Sequence, residues 1–154
     1  MSRVGAIIEA RMSSSRLPGK VLMKINKRPV LDLLIERIKF VNEIDQIIVA
    51  TTTSKKDDIL EEYCNANNII CYRGSEENVM QRVLEAAKKN SIEIIVEITG
   101  DCPLIDPHII SQILNCYLNN DYDYVGNSNI RSYPDGMDVQ VFSTKVLEDS
   151  YENT

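Results

Sequence analysis

The strongest constraint in this chain is its alternation of short apolar runs with amphipathic stretches. Residues 4–8 (Val4-Gly5-Ala6-Ile7-Ile8), 46–51, 69–72 and 93–98 are each long enough for one buried strand and too short for a helix. Between them, Val30, Leu31, Leu34, Ile35 and Ile38 recur at helical spacing behind Pro29, which can open a helix where its missing N–H costs nothing. Ser54, with Asp57 three residues on, predicts an N-cap for a helix reaching about residue 67. Ser75 is the expected cap of a helix carrying Val79, Val83, Leu84 and Ala87. Asp106-Pro107 starts another, with Ile109, Ile110, Ile113, Leu114 and Tyr117 on one face. Strands near 122–126 and 138–142 and a last helix from Ser143 complete the pattern. This order predicts a single α/β domain over residues 1–154, with a mostly parallel, Rossmann-like sheet and helices on both faces. In such sheets ligands bind beyond the carboxyl ends of strands, where strand order reverses. The segments after the first four strands are therefore expected to converge at one edge.

The first of those segments is chemically distinctive. Residues 1–28 hold seven Lys/Arg against one Glu, whereas the remainder holds ten against twenty-two, in a chain of net charge −6. Arg11, Arg16 and Lys20 surround three consecutive serines and a Pro-Gly turn. Serine hydroxyls and free backbone N–H groups can bond phosphate oxygens while the cations supply countercharge. The glycine-rich P-loop pattern fails, because Lys20 is followed by Val21 and no glycine stands five residues before Gly19; G-x-G-x-x-G is also absent. Surface cations around an ordinary turn remain the alternative. Asp101 follows a strand between Gly100 and Cys102, a place for either a turn cap or a metal ligand. Asp106 reads as a helix cap. Pro134-Asp135-Gly136 is turn chemistry that could also face a ligand.

Four cysteines form no C-x-x-C pair and His108 is the lone histidine, so free thiols are expected and zinc is not. The acidic balance argues against a nucleic-acid face despite Tyr122, Tyr124 and Tyr133. No run approaches eighteen apolar residues, and Met1-Ser2-Arg3 leads into a strand rather than a signal-peptide core; a cytoplasmic, membrane-free location is the expectation.

The run Ala10-Arg11, the serines and Arg16-Leu17-Pro18-Gly19-Lys20 resembles the N-terminal signature of CTP-using sugar nucleotidyltransferases, including the synthetases of CMP-activated Kdo and sialic acids. Arg73-Gly74-Ser75-Glu76-Glu77-Asn78-Val79, Thr99-Gly100-Asp101-Cys102-Pro103-Leu104-Ile105-Asp106 and Pro134-Asp135-Gly136-Met137-Asp138-Val139 make the chain most similar to the spore coat polysaccharide biosynthesis protein F family of cytidylyltransferase-like proteins. The resemblance implies a fold of the nucleotide-diphospho-sugar transferase type. It implies transfer of a cytidylyl group from CTP to a sugar or sugar acid, with release of pyrophosphate, in surface or spore coat polysaccharide biosynthesis. It implies Mg²⁺ held by Asp101, and Arg11 and Lys20 on the triphosphate, with Arg16 and Ser13 in support. Ala50, Thr51, Arg73, Gly74 and Asn78 would approach the nucleotide, Arg82 fits the pattern, and Asp135, Gly136 and Asp138 match the stretch near the acceptor. Asn78 and Gln81 depart from it, since acidic residues are commoner there. Family members run longer, their C-terminal portion completing the sugar side, a second metal carboxylate and a dimer contact. The chain is thus expected to lack that portion, to bind CTP–Mg²⁺, to turn over poorly, if at all, and to leave a homodimer open. No residue stands out as a general base. The alternatives are a glycosyltransferase using Asp121-Tyr122-Asp123 as its metal pair, and a non-catalytic nucleotide-binding subunit.

Overall fold

A computed structural model describes residues 2–154. Its main sheet contains β1 (Val4–Glu9), β4 (Gln46–Thr52), β5 (Ile70–Gly74), β6 (Ile94–Thr99), β7 (Tyr124–Gly126) and β8 (Gln140–Ser143), in the order β5-β4-β1-β6-β8-β7. A separate two-stranded ribbon pairs β2 (Lys24–Ile25) with β3 (Arg28–Pro29). Strands β5, β4, β1 and β6 run parallel; β8 is antiparallel to both β6 and β7. The sheet is mostly parallel, as expected. The apolar content of β1 follows from its central place, with Val4 to Ile8 all buried between two helical layers.

One layer consists of α1 (Val30–Ile38), α2 (Asp58–Ala66) and α4 (Pro107–Leu118). Leu31, Leu34, Leu60, Ile110 and Leu114 from these helices pack on Ala6, Ile8, Val49 and Val96. The other layer consists of α3 (Val79–Lys89) and α5 (Thr144–Glu152), whose Val83, Leu84, Ala87 and Leu147 pack on Ile7, Ile48, Ile95 and Phe142. No helix among the described residues is long and apolar enough to cross a membrane.

Strand order reverses between β1 and β6. The chain leaves β1 towards β4 on one side and returns through α3 to β6 on the other, so the segments after β1 and β6 flank a crevice. Gly100 closes the gap between them: its N–H donates to Glu9 O at 2.8 Å, and a Cβ there would lie 2.7 Å from that same oxygen. Only glycine allows this approach.

Two helix starts differ from the sequence expectation. Ser54 makes no side-chain cap, and a 3₁₀ turn at Lys55–Asp57 precedes α2. Asp57 points inward instead, fully buried; it accepts from Met12 N at 2.7 Å, from Thr52 N at 3.2 Å and from the Thr52 hydroxyl. Ser75 is likewise displaced. Asn78 caps α3 by accepting from Gln81 N at 2.9 Å, while the Ser75 hydroxyl accepts from Asn78 N at 3.0 Å. Asp106 caps α4 as expected, accepting from His108 N at 2.9 Å.

Asp57 ties the start of the basic loop to the end of β4. Replacing it by Ala would strand three donors, two of them buried, so Asp57→Ala should cost at least about 2 kcal/mol in urea denaturation. It should also accelerate amide exchange at Met12; unchanged exchange there would show that the loop is held by other contacts.

Candidate active site

The loop after β1 is fastened at both ends and open between. Asp57 holds Met12, and Val21, in a 3₁₀ turn at Lys20–Leu22, is buried in the core. Gly19 takes a left-handed conformation (φ 72°) and its N–H returns to Met12 O at 2.9 Å, folding the serines and Arg16 into a compact arch. This arch forms one wall of a cleft of about 270 Å³ lined by Arg11, Ser14, Ser15, Arg16 and Lys20. Thr99, Gly100 and Asp101 form the facing wall, Glu9 and Ala10 the floor, and Val79 and Arg82 from the first turn of α3 one end.

Lys20 and Asp101 join the two walls in an ion pair between Nζ and Oδ2. Burial pushes the Asp101 carboxyl up, but Lys20's hydrogen bond and charge, a backbone N–H and Thr99 outweigh it and hold the group below its ordinary value. Asp101 is therefore ionised in the cleft. Behind it, Cys102 packs beside Gly136, whose Cβ position lies 3.8 Å from the Cys102 sulfur. The 134–138 turn therefore reaches the Asp101 side of the cleft, while Asp135 itself points to solvent with Arg131 at 3.6 Å.

Of the residues expected to bind nucleotide, Arg11, Arg16, Lys20 and Asp101 come together; Ser14 and Ser15 line the cleft in place of Ser13. Ala50 and Thr51 are fully buried, because β4 continues to Thr52 and sends its side chains into the two helical layers. Arg73 is turned away into a clamp: it donates to Thr52 O, Ser54 O, Asp58 and Glu61 at 2.7–2.9 Å. Gly74 is buried against Arg82, which a Cβ would approach to 3.1 Å, and the Asn78 side chain is spent on its cap. The remaining cations of the N-terminal cluster separate too. Arg28 pairs with Asp32 and Glu36, and Lys24 and Lys27 lie on the ribbon beside Tyr63.

Asp121 lies at the other edge of the sheet, in a hollow with Ser2, Asp45 and Ile94 near the strand amino ends. The Asp-x-Asp pair thus has no access to the cleft. Glu9, Val21 and Val79 line the cleft and were not singled out by sequence reasoning as site residues. Glu9 was legible as an acid ending a buried apolar run; Val21 and Val79 carried no signal beyond their hydrophobicity.

The sequence profile of the cytidylyltransferase family matches residues 5–151. The chain belongs to the cytidylyltransferase family. It is 40% identical over 151 residues to an uncharacterized protein of Methanocaldococcus jannaschii, covering 98% of this chain and 61% of that one. It is 30% identical over 162 residues to the spore coat polysaccharide biosynthesis protein SpsF of Bacillus subtilis, covering 99% and 68%. A solved cytidylyltransferase from Leptospira borgpetersenii superposes with a TM-score of 0.94 at 36% identity, covering all of this chain and 66% of that one. The chain thus spans about three-fifths of the length of the archaeal relative.

Within this cytidylyltransferase fold the Arg73 clamp is structural. Arg73→Ala should lower Tm by about 3–6 °C and leave CTP affinity unchanged, measured by calorimetric unfolding and isothermal titration. Weakened CTP binding at unchanged Tm would return Arg73 to the nucleotide site.

Proposed function

We propose that this chain is a sugar nucleotidyltransferase that couples CTP to a sugar or sugar acid and releases pyrophosphate. The observation that carries the reading is the cleft at the switch point, where Arg11, Arg16, Lys20 and two serines face the ionised Asp101 carboxylate. A triphosphate with a divalent cation needs that division of charge: cations and hydroxyls for its oxygens, and a carboxylate for its metal.

Arg11 and Lys20 hold the triphosphate and stabilise the charge that develops on the leaving pyrophosphate, with Arg16, Ser14 and Ser15 as further donors. Substrate separates the Lys20–Asp101 pair, Lys20 turning to phosphate. Asp101 is the residue that would hold Mg²⁺. Among the described residues no group of three or more His, Cys, Asp or Glu could hold a metal by itself. That suits an ion that takes one or two protein carboxylates and completes its shell with phosphate oxygens and water. When bound, Mg²⁺ supplies charge neutralisation on the phosphates. Little covalent chemistry falls to the protein, and positioning in line with the α-phosphorus does most of the work. The name of the Bacillus subtilis relative supports surface polysaccharide synthesis as the setting.

Two variants test this. Lys20→Ala should weaken CTP about tenfold or more, the worth of a charge-assisted bond of about 1.5–3 kcal/mol, and leave cytidine binding unaffected. Equal losses for both ligands would mean a damaged fold. Asp101→Asn should abolish the Mg²⁺-dependent part of CTP binding with little change in Tm; an intact Mg²⁺ response with a large fall in Tm would make Asp101 a turn residue.

A further inference from the structure

Glu9, on the floor of the cleft, and Glu97, behind it, have no part in holding phosphate. Glu9 ends β1, and Glu97 lies on β6, in register with Ile7 of β1 and Gln140 of β8. Side chains alternate along a strand, and Ile7 and Ile95 pack in the α3/α5 layer, so Glu9 and Glu97 project on that same face. The two side chains are diagonal neighbours across the β1–β6 pair, and the Glu9 charge raises the cost of ionising Glu97. Glu9, with 23% of its side chain exposed, opens onto the cleft that holds Lys20 and Asp101; Glu97 stands behind it.

Arg82 supplies a second, independent observation. Its side chain is 3% exposed and lines the cleft; Nη2 lies 3.9 Å from Glu9 Oε2, Nη1 donates to Ser75 O at 2.5 Å, and Nε has no partner. From β7, Tyr124 faces Glu97 and donates to Gln140 Oε1 at 3.1 Å. Arg11 and Asp57 are the other charges that act on Arg82.

We propose that Glu9 is the general base for the acceptor hydroxyl and that Glu97 is a positioning residue that tunes it. The proposal rests on the cytidylyl-transfer reading. The acceptor oxygen bonds to the α-phosphorus, the bond from that phosphorus to the bridging oxygen breaks, and pyrophosphate takes the electron pair. The hydroxyl proton passes to the Glu9 carboxylate and from there to water. Burial, then the neighbouring Glu9 carboxylate, push Glu97 up to about 8 against the opposing pull of Arg82. Loss of the Glu97 proton places a second negative charge beside Glu9 and makes the Glu9 carboxylate a stronger base. The sign follows: turnover rises with pH and levels off above about 8.

The test is pyrophosphate release from CTP, Mg²⁺ and a panel of sugars and sugar acids, across pH, by the wild-type chain, Glu97→Gln and Glu9→Gln. CTP affinity and carboxyl ¹³C NMR titrations are measured alongside. The wild type should show kcat rising through about pH 8, and Glu97→Gln should lose that rise while still binding CTP. Glu9→Gln should lose on the order of a hundredfold or more in kcat. One carboxyl should titrate near pH 8 in the wild type and not in Glu97→Gln. An unchanged pH profile in Glu97→Gln, both carboxyls titrating in the ordinary range, or CTP binding without release at any pH would overturn the proposal alone. Absence of CTP binding by the wild type would overturn the cytidylyl-transfer reading and this base with it.

Discussion

Lys20 and Asp101, eighty-one residues apart in sequence, meet across the crevice, and the geometry of the cleft depends on what allows that meeting. β1 must run parallel between β4 and β6 so that both of the following segments leave at the same edge. Gly100 must lack a side chain so that the second segment can lie against the end of β1. Asp57 must be buried so that the first segment turns back over the crevice instead of spreading into solvent. Each is a local condition with a distant effect, and together they convert a basic stretch of sequence into a wall.

Charge is sorted by the fold. Arg28 and Arg73 are spent on helix carboxylates, and Arg82 is buried at the back of the cleft. Arg11, Arg16 and Lys20 are left to face ligand, with a single counter-carboxylate in Lys20's reach. An exposed pair of this kind contributes little to stability, because solvent screens it and two side chains must be ordered. In the function proposed above its significance is catalytic: both partners can be released to a bound anion and its metal at small cost.

The architecture was legible because it rests on periodicity. Apolar runs of strand length, and helices with apolar residues three and four apart, leave few alternatives. The cations of the site were legible as a local excess of charge in an acidic chain. The distribution of the second half of the site was not. Arg73 and Asn78 stand where ligand residues would be expected, yet a guanidinium within reach of Asp58 and Glu61, and an Asn three residues before a free helix N–H, are captured locally. Ala50 and Thr51 were misplaced because they lie inside β4, which runs one residue past its expected end and buries both. The pairing of Glu9 with Glu97 depends on strand register, which no spacing in the chain encodes.

The central claim is that the nucleotide occupies the crevice between the segments after β1 and β6. Hydrogen exchange by mass spectrometry, with and without CTP–Mg²⁺, tests it most directly. The account predicts protection confined to residues 10–22 and 99–106 and the first turn of α3, with the 117–123 edge unchanged. Protection of the Asp121–Asp123 edge with no change in the first two segments would contradict it.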